Sequence, residues 1–255
     1  MSTLLKFVVD RSAFQKALQQ IDNIIPAREI RSVVSNFLLQ AKDNQLTLSA
    51  TDLEISIQTT LDAKVETSGS IALPARKLSE TVRVFQSREL PFTVDENHTA
   101  TLVDEINDSR TTISLNGQSS EEFPAIPWPA SKDYISVSGS HFIAMMRKTA
   151  YAIAEEDARY MFNGLFMHAE GKKLTFVATD GRRLSKVDRT MEKVLQLGKG
   201  IIVPGKAIRE LMKVIEPDQN CDIHYSASDQ RIFFRAGNIQ LQTRLIEGNF
   251  PDYKQ

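Results

Sequence analysis

The stretch Leu174-Thr175-Phe176-Val177-Ala178-Thr179-Asp180-Gly181-Arg182-Arg183-Leu184 decides how this 255-residue chain is built. Its pattern predicts a strand that enters a tight Asp-Gly turn and leaves it with two arginines. A related stretch, Leu46-Thr47-Leu48-Ser49-Ala50-Thr51-Asp52-Leu53-Glu54, lies 128 positions earlier. A repeat at this offset predicts two copies of one structural module.

The register of the repeat holds without a gap over the first part of each copy. Val9 and Asp52 have Val137 and Asp180 as their counterparts. In each copy a short strand is followed by a helical pattern, and Ser140 is the expected N-cap of the second helix. The apolar stripes of these two predicted helices are Phe14, Leu18, Ile21 and Ile25 in the first copy, and Phe142, Met145, Met146 and Ile153 in the second.

Each copy continues with a predicted β-hairpin, over 35–50 and over 163–178. A later strand in each copy ends at a proline, Pro74 or Pro204, and a proline is well placed to open the helix that follows. Several short strands then complete each copy.

Each copy ends in Phe-Pro, and the proline-rich run Phe123–Pro129 is a stiff linker between the two. We therefore predict an α+β fold made of tandem modules, each with two helices packed on antiparallel sheets. The predicted domains are residues 1–128 and 129–255.

The two helices that follow the prolines are predicted to be basic on one side. On a helical wheel, Arg76 and Arg83 lie opposite the apolar face of the first helix. Lys206, Arg209 and Lys213 lie opposite the apolar face of the second. A solvated polar face is the simpler explanation for either helix alone. Cations at equivalent positions in both copies favour a common partner, and a phosphate backbone is the partner that needs only such contacts.

The composition excludes several classes of protein. The net charge is −1, so the net charge alone does not indicate a nucleic-acid partner. No apolar run reaches the roughly 18 residues that cross a bilayer, so we expect no membrane partner. The single cysteine, Cys221, fits a reducing compartment. Glycine-rich phosphate-binding motifs are absent from the sequence, so no nucleotide cofactor is expected.

No constellation of reactive residues predicts an enzyme. The four histidines, His98, His141, His168 and His224, lack metal-ligand spacing. The acidic run Glu155–Asp157 is either a cation site or an ordinary loop cluster, and the second is favoured. Because the motif around Asp180 is repeated at Asp52, we interpret both aspartates as caps of a turn. We predict no catalytic residue and no bound metal.

Two features of the second copy have no counterpart in the first. Gly181–Leu184 replaces Leu53 and Glu54, and Tyr160–Phe162 is a bulky apolar run. Together they predict a groove for a short apolar peptide, with arginine at its rim. Core packing of Phe162 and Leu184 is the open alternative.

The chain resembles the bacterial sliding clamps, the beta subunits of DNA polymerase III. The resemblance extends over essentially the whole chain, in the order of the family's motifs. The residues that carry it are Ala50–Glu54, Leu73–Lys77, Arg159–Gly164, Val177–Leu184, Ile202–Pro204 and Phe250–Tyr253.

This resemblance implies a non-catalytic processivity factor that encircles double-stranded DNA and tethers the replicative polymerase in the bacterial cytoplasm. The family's subunit has three modules and forms a head-to-tail homodimer of six, so a third, C-terminal module is expected to be missing here. The implied partners are the polymerase III alpha subunit, the clamp loader and other clamp-binding peptides.

The resemblance also assigns site residues. Glu156 stands where the family can carry a DNA-contacting glutamine, Met161 where it can carry a tyrosine, and Arg182 where a histidine is common. Together with the helix faces, the predicted DNA-binding residues are Arg28, Arg76, Arg83, Arg159, Tyr160, Lys206, Arg209 and Lys213. The predicted peptide pocket consists of Phe162, Thr179, Gly181, Arg182, Arg183, Leu184 and Pro251, and the third module would supply its other half.

Two other classes of function remain as hypotheses. One is a peptide-binding adaptor with no DNA role, which predicts that charge reversal on the two basic helices leaves processivity unchanged. The other is a hydrolase or transferase of nucleic acid, which predicts turnover that is lost in Asp180→Asn.

Overall fold

The computed structural model shows an α+β chain, as predicted. It divides into two compact units, Met1–Ile126 and Pro127–Gln255. Among the residues that are described, each unit contains two α-helices and eight strands, and none of these helices is long and apolar enough to cross a membrane. The described residues are 3–25, 32–130, 133–193 and 195–254.

The first unit is built on one continuous antiparallel sheet with the strand order β8-β7-β6-β1-β4-β3-β2-β5. The long strand β4 holds the sheet together, because it pairs with β3 near its start and with β1 near its end. The elements are β1 (Thr3–Asp10), α1 (Arg11–Ile21), β2 (Asn36–Lys42), β3 (Gln45–Thr51), β4 (Ile55–Thr67), β5 (Gly69–Pro74), α2 (Ala75–Val84), β6 (Glu89–Asp95), β7 (Thr99–Ile106) and β8 (Ser109–Asn116).

The second unit has the same order of elements, and its described strand pairings form two four-stranded antiparallel sheets. One has the order β12-β11-β10-β13 and the other β16-β15-β14-β9. The elements are β9 (Ile135–Ser138), α3 (Gly139–Thr149), β10 (Gly164–Glu170), β11 (Lys173–Thr179), β12 (Leu184–Thr190), β13 (Ile201–Pro204), α4 (Gly205–Val214), β14 (Asn220–Ser226), β15 (Arg231–Ala236) and β16 (Ile239–Arg244).

Aromatic side chains pack against one another in the core of each unit. In the first unit Phe7 of β1 stacks on Phe92 of β6 with ring centroids 4.6 Å apart. In the second unit Phe142 of α3 reaches both sheets, with its ring 5.3 Å from Phe176 of β11 and 6.0 Å from Phe234 of β15. Because all of these rings are fully buried, their removal from water supplies a large part of the folding energy.

Two predicted helix boundaries were wrong. The first helix ends at Ile21, so Ile25 lies beyond it, after a short 3-10 turn. The second helix has Ser138 as its N-cap rather than Ser140, and it ends at Thr149, before Ile153. The N–H of Gly139 donates to the carbonyl oxygen of Gln219 at 3.0 Å, which fixes the junction between strand and helix at this point.

The repeated Thr-Asp motif forms the same turn in both units, as predicted. In the first unit the Thr51 hydroxyl donates to the carbonyl oxygen of Ile55 at 3.0 Å. The Asp52 carboxylate accepts from the N–H groups of Glu54 at 3.0 Å and Ile55 at 2.7 Å. Leu53 therefore occupies the place of Gly181 in the second unit, and both have positive φ angles, of 79° and 84°.

Replacing Leu53 with glycine is expected to stabilise the first unit. A left-handed backbone costs a non-glycine residue about 1–2 kcal/mol, and Leu53 is 41% exposed, so the substitution gives up only part of the burial of a leucine. After the greater entropy of glycine in the unfolded chain is subtracted, we expect a gain of about 0.5 kcal/mol in the free energy of unfolding. Urea denaturation measures this change. Leu53→Ala keeps the strain and is the control, so an equal gain in both variants would contradict the explanation.

Candidate functional site

The basic face of α2 forms as predicted. Leu78 and Val82 are fully buried, whereas Arg76 and Arg83 are exposed. The Arg76 Nε donates to the Glu80 carboxylate at 3.1 Å, one helical turn away. Such an exposed pair contributes little to stability, so the guanidinium of Arg76 is available to a stronger anionic partner.

A groove of about 270 Å³ runs along this face between α1 and α2. Arg76 and Arg83 line it together with Gln15 and Gln19 of α1. Asp22, just after α1, also lines the groove, and burial raises the pKa of its carboxyl above the ordinary value. Both cations therefore share a concave surface with polar amides.

The basic face of α4 also forms. Lys206, Arg209 and Lys213 are exposed, and the opposite face is buried. The Lys213 ammonium donates to the Glu210 carboxylate at 2.8 Å, and Glu210 is itself only 7% exposed. Glu210 thus holds Lys213 at a fixed place on the helix, which the apolar pattern alone did not predict.

The turn that contains Arg182 and Arg183 is held by hydrogen bonds from Thr179 and Asp180. The Thr179 hydroxyl donates to the carbonyl oxygen of Arg183 at 2.7 Å and accepts from the N–H of Gly181 at 3.0 Å. The Asp180 carboxylate accepts from the N–H groups of Arg182 and Arg183, each at 3.0 Å. These backbone hydrogen bonds lower the pKa of Asp180, so it stays ionised at neutral pH. Asp180 is occupied as a turn cap and is not placed as a catalytic base.

The predicted peptide pocket is partly apolar and partly charged. Phe162 is buried with 7% of its surface exposed, so the alternative of core packing is confirmed for this residue. Leu184 is 48% exposed, so the same alternative is wrong for it. Thr179 is buried in the turn, and Pro251 is half-buried. The exposed members that remain are Gly181, Arg182 and Arg183.

Aromatic stacking fixes the segment that contains Pro251. The neighbouring Phe250 stacks on Phe166 of β10 with centroids 4.9 Å apart, and its ring meets Phe162 at 6.5 Å. Tyr253 forms a 2.5 Å hydrogen bond with the Nε2 of His168. Pro251 is therefore next in the chain to a residue whose ring contacts both Phe166 and Phe162.

A cavity of about 910 Å³ brings members of both predicted sites together. Gly181, Arg182 and Arg183 of the predicted peptide pocket line it, and so do Arg159 and Arg209 from the predicted DNA-binding set. The other members of the predicted peptide pocket do not line it: Phe162, Thr179, Leu184 and Pro251.

Three of the side chains that line this cavity were not assigned to a site from the sequence. Tyr151 is 58% exposed, lines the cavity, and lies 5.5 Å below the guanidinium of Arg183. Met212 of α4 is half-buried and also lines the cavity. Asp157 lines it as a partner of Arg159. Phe250, from the Phe-Pro pair that ends the second copy, does not line the cavity, but its ring contacts Phe162.

The acidic run at 155–157 does not bring its three carboxylates together as a group. The Asp157 carboxylate binds the guanidinium of Arg159, whose hydrogen bonds lower the pKa of Asp157 to about 2. Glu155 and Glu156 are exposed. Over the residues that the structure describes, no three potential metal ligands are grouped together.

Two other residues were predicted to contact DNA, Tyr160 and Arg28. Tyr160 is 56% exposed and is accessible to a partner. Arg28 lies outside the described residues.

Comparison with known proteins supports this architecture. Residues 5–127 match the N-terminal domain of the DNA polymerase III beta subunit, and residues 136–252 match its central domain. The beta sliding clamp of Vibrio cholerae is 30% identical over 259 residues, which cover 98% of this chain and 67% of the relative. That of Chlamydia muridarum is 26% identical over 249 residues, with 98% and 66% covered.

Solved structures of sliding clamps have a similar fold. The sliding clamp of Bartonella birtlesii bound to griselimycin has a TM-score of 0.89 at 30% identity, over 98% of this chain and 67% of that one. The Bacillus subtilis clamp has a TM-score of 0.90 at 22% identity, over 97% and 66%, which supports the fold alone.

The two helix-and-sheet units and these structural similarities define the class of protein as a sliding-clamp fold. The chain belongs to the DNA polymerase III beta subunit family and matches its N-terminal and central domains. It spans 59% to 67% of the length of the curated relatives that it matches.

Proposed function

We propose that this chain is the DNA-contacting and part of the protein-contacting portion of a replication processivity clamp. The observation that carries this proposal is the pair of basic helix faces. Arg76 and Arg83 on α2 have Lys206 and Lys213 as their counterparts on α4, and all four are exposed. The function is non-catalytic, because contact and retention on DNA require no bond to be made or broken.

The mechanism depends on contacts that hold DNA without fixing it. Lysine and arginine that meet the phosphate backbone release counterions, so binding is independent of sequence and weakens as salt is added. Flexible side chains such as Arg76, with 91% of its side chain exposed, can exchange one phosphate for the next. A clamp closed around duplex DNA would therefore slide and not dissociate. In the complete protein we propose a third domain and a homodimeric ring in the cytoplasm.

We further propose that the surface around Gly181 and Leu184 binds short apolar segments of other proteins. The polymerase alpha subunit and the clamp loader are the expected partners. The exposed Leu184 and Tyr151 supply apolar area, and the arginines of the cavity supply a charged rim. Because the B. birtlesii relative is bound to griselimycin, we propose that this compound occupies the same surface here and can serve as a probe of it.

Fluorescence anisotropy with two labelled duplexes of unrelated sequence tests the DNA role. We expect equal affinities, and a logarithm of the association constant that falls linearly with the logarithm of salt, with a slope of about −0.9 per phosphate contacted. An absence of binding at low salt, or a strong preference for one duplex, would contradict it. The adaptor hypothesis instead predicts griselimycin binding without any DNA binding.

A further inference from the structure

The loop over 154–163 is closed by its own hydrogen bonds. The N–H of Ala154 donates to the carbonyl oxygen of Phe162 at 2.9 Å, and the N–H of Phe162 donates to that of Arg159 at 2.8 Å. The Asn163 side chain accepts from the N–H of Asp157 at 2.9 Å and donates to its carbonyl oxygen at 3.0 Å. The backbone around Asp157 is therefore fixed before any ligand arrives.

Asp157 holds the side chain of Arg159 with both carboxylate oxygens. Nε of Arg159 donates to Oδ1 at 3.0 Å and Nη2 donates to Oδ2 at 2.9 Å. The backbone N–H of Arg159 also donates to Oδ1, at 2.8 Å. Paired, charge-assisted hydrogen bonds of this kind set the direction of a guanidinium as well as its position.

In this position the guanidinium of Arg159 contacts two members of the predicted peptide pocket. Its Cζ lies 4.4 Å from the centre of the Phe162 ring, which is a cation–π distance. A Cβ atom placed on Gly181 would lie only 3.0 Å from Nη2, so the guanidinium covers the bare face of this glycine. Nη2 also lies 3.5 Å from the carbonyl oxygen of Asp180. Arg159 therefore connects the 154–163 loop to the turn at 179–184.

We propose that Asp157 is a positioning residue of the peptide pocket, which acts by holding Arg159 against Phe162 and Gly181. This role rests on the peptide-binding function proposed above. Without Asp157 the arginine would turn to solvent, because an exposed long side chain loses entropy when it is held in one place. Phe162 would lose its cation–π contact with Arg159, and the turn at Gly181 would lose the guanidinium that covers it. The pocket would then be folded but poorly shaped.

Isothermal titration of the 255-residue chain with griselimycin tests this role. We expect Asp157→Asn to raise the dissociation constant about tenfold, which corresponds to the loss of one charge-assisted hydrogen-bonded pair. The melting temperature should hardly change, because the pair lies at the surface. A purely structural role would lower the melting temperature and leave the affinity of the folded fraction unchanged.

The second unit contains a matched control pair. Arg235 is bound by the Asp222 carboxylate at 2.7 and 3.0 Å, and its guanidinium lies 4.6 Å from the centre of the Tyr134 ring. Asp222 accepts both bonds through Oδ2, so Asp222→Asn weakens another charge-assisted pair of aspartate and arginine, in residues that do not line the cavity. It should leave the griselimycin affinity unchanged.

A double-mutant cycle identifies the route of the effect. If Asp157 acts through Arg159, Asp157→Asn should cause no further loss in an Arg159→Ala background. Wild-type affinity in Asp157→Asn, or additive losses in the cycle, would overturn the positioning role while leaving peptide binding intact. If the wild-type chain does not bind griselimycin, then peptide binding by these two units alone fails, and the role of Asp157 in it fails too.

Discussion

Reversing the charge at Arg76, Arg83, Lys206 and Lys213 is expected to raise the dissociation constant for duplex DNA at least about 100-fold at 50 mM salt. Each of these cations is exposed on the face of its helix that lies opposite the buried residues. Each substitution by glutamate removes an attraction to phosphate and adds a repulsion. The slope of log affinity against log salt should also become shallower by about 0.9 for each lost contact. Fluorescence anisotropy over a salt series measures both quantities.

A control for net charge is essential, because four reversals make the whole chain more acidic. Lys42, Arg110, Lys172 and Lys199 are also exposed, and they lie off the two basic helices. Reversing these four changes the net charge equally. If the control set weakens DNA binding as much as the helical set, the interaction is a response to overall charge, and the proposed interface is wrong.

The internal repeat was the main basis for predicting the fold from the sequence. Because the two copies share one register, each predicted strand and helix was supported twice, and weak signals such as the Thr-Asp turn became reliable. The buried face of α2 followed directly from helical spacing, because Leu78 and Val82 stand one turn apart.

The parts that could not be predicted depend on contacts between distant residues. The helix α3 begins after Ser138 because Gly139 bonds to the carbonyl oxygen of Gln219, about 80 positions away in the chain. Similarly, β4 is much longer than its counterpart β12 because its second half pairs with β1. The sequence around each element does not predict contacts with residues that are far away in the chain.

At the candidate site, residue types predicted the region where the site lies, but not the directions in which its side chains point. Resemblance assigned Arg159 to DNA, whereas in the structure its guanidinium is bound by Asp157 and covers Gly181. A phosphate that recruited Arg159 would have to compete with two short charge-assisted hydrogen bonds. We therefore expect Arg159 to contribute less to DNA affinity than Arg83, for which the described residues show no such bidentate partner.

Gly181→Val is expected to weaken griselimycin binding at least about tenfold. Gly181 has φ of 84°, a conformation that costs a β-branched residue about 1–3 kcal/mol. The new side chain would also begin 3.0 Å from the Arg159 guanidinium, which Asp157 prevents from moving freely. The turn and the arginine cannot both keep their places, so the part of the cavity that Gly181 and Arg159 line changes shape. Calorimetric titration and thermal melting of the same samples separate affinity from stability.

Gly171→Val is the matched control for this change. Gly171 also has positive φ, of 57°, but a Cβ at this position would have no neighbour within 4 Å. It lies in the hairpin turn between β10 and β11, so its substitution imposes backbone strain without disturbing the cavity. We expect both variants to melt at lower temperature and only Gly181→Val to lose affinity. Equal affinity in the two variants would contradict the prediction, because it would mean that the contact between Gly181 and Arg159 does not determine what this surface binds.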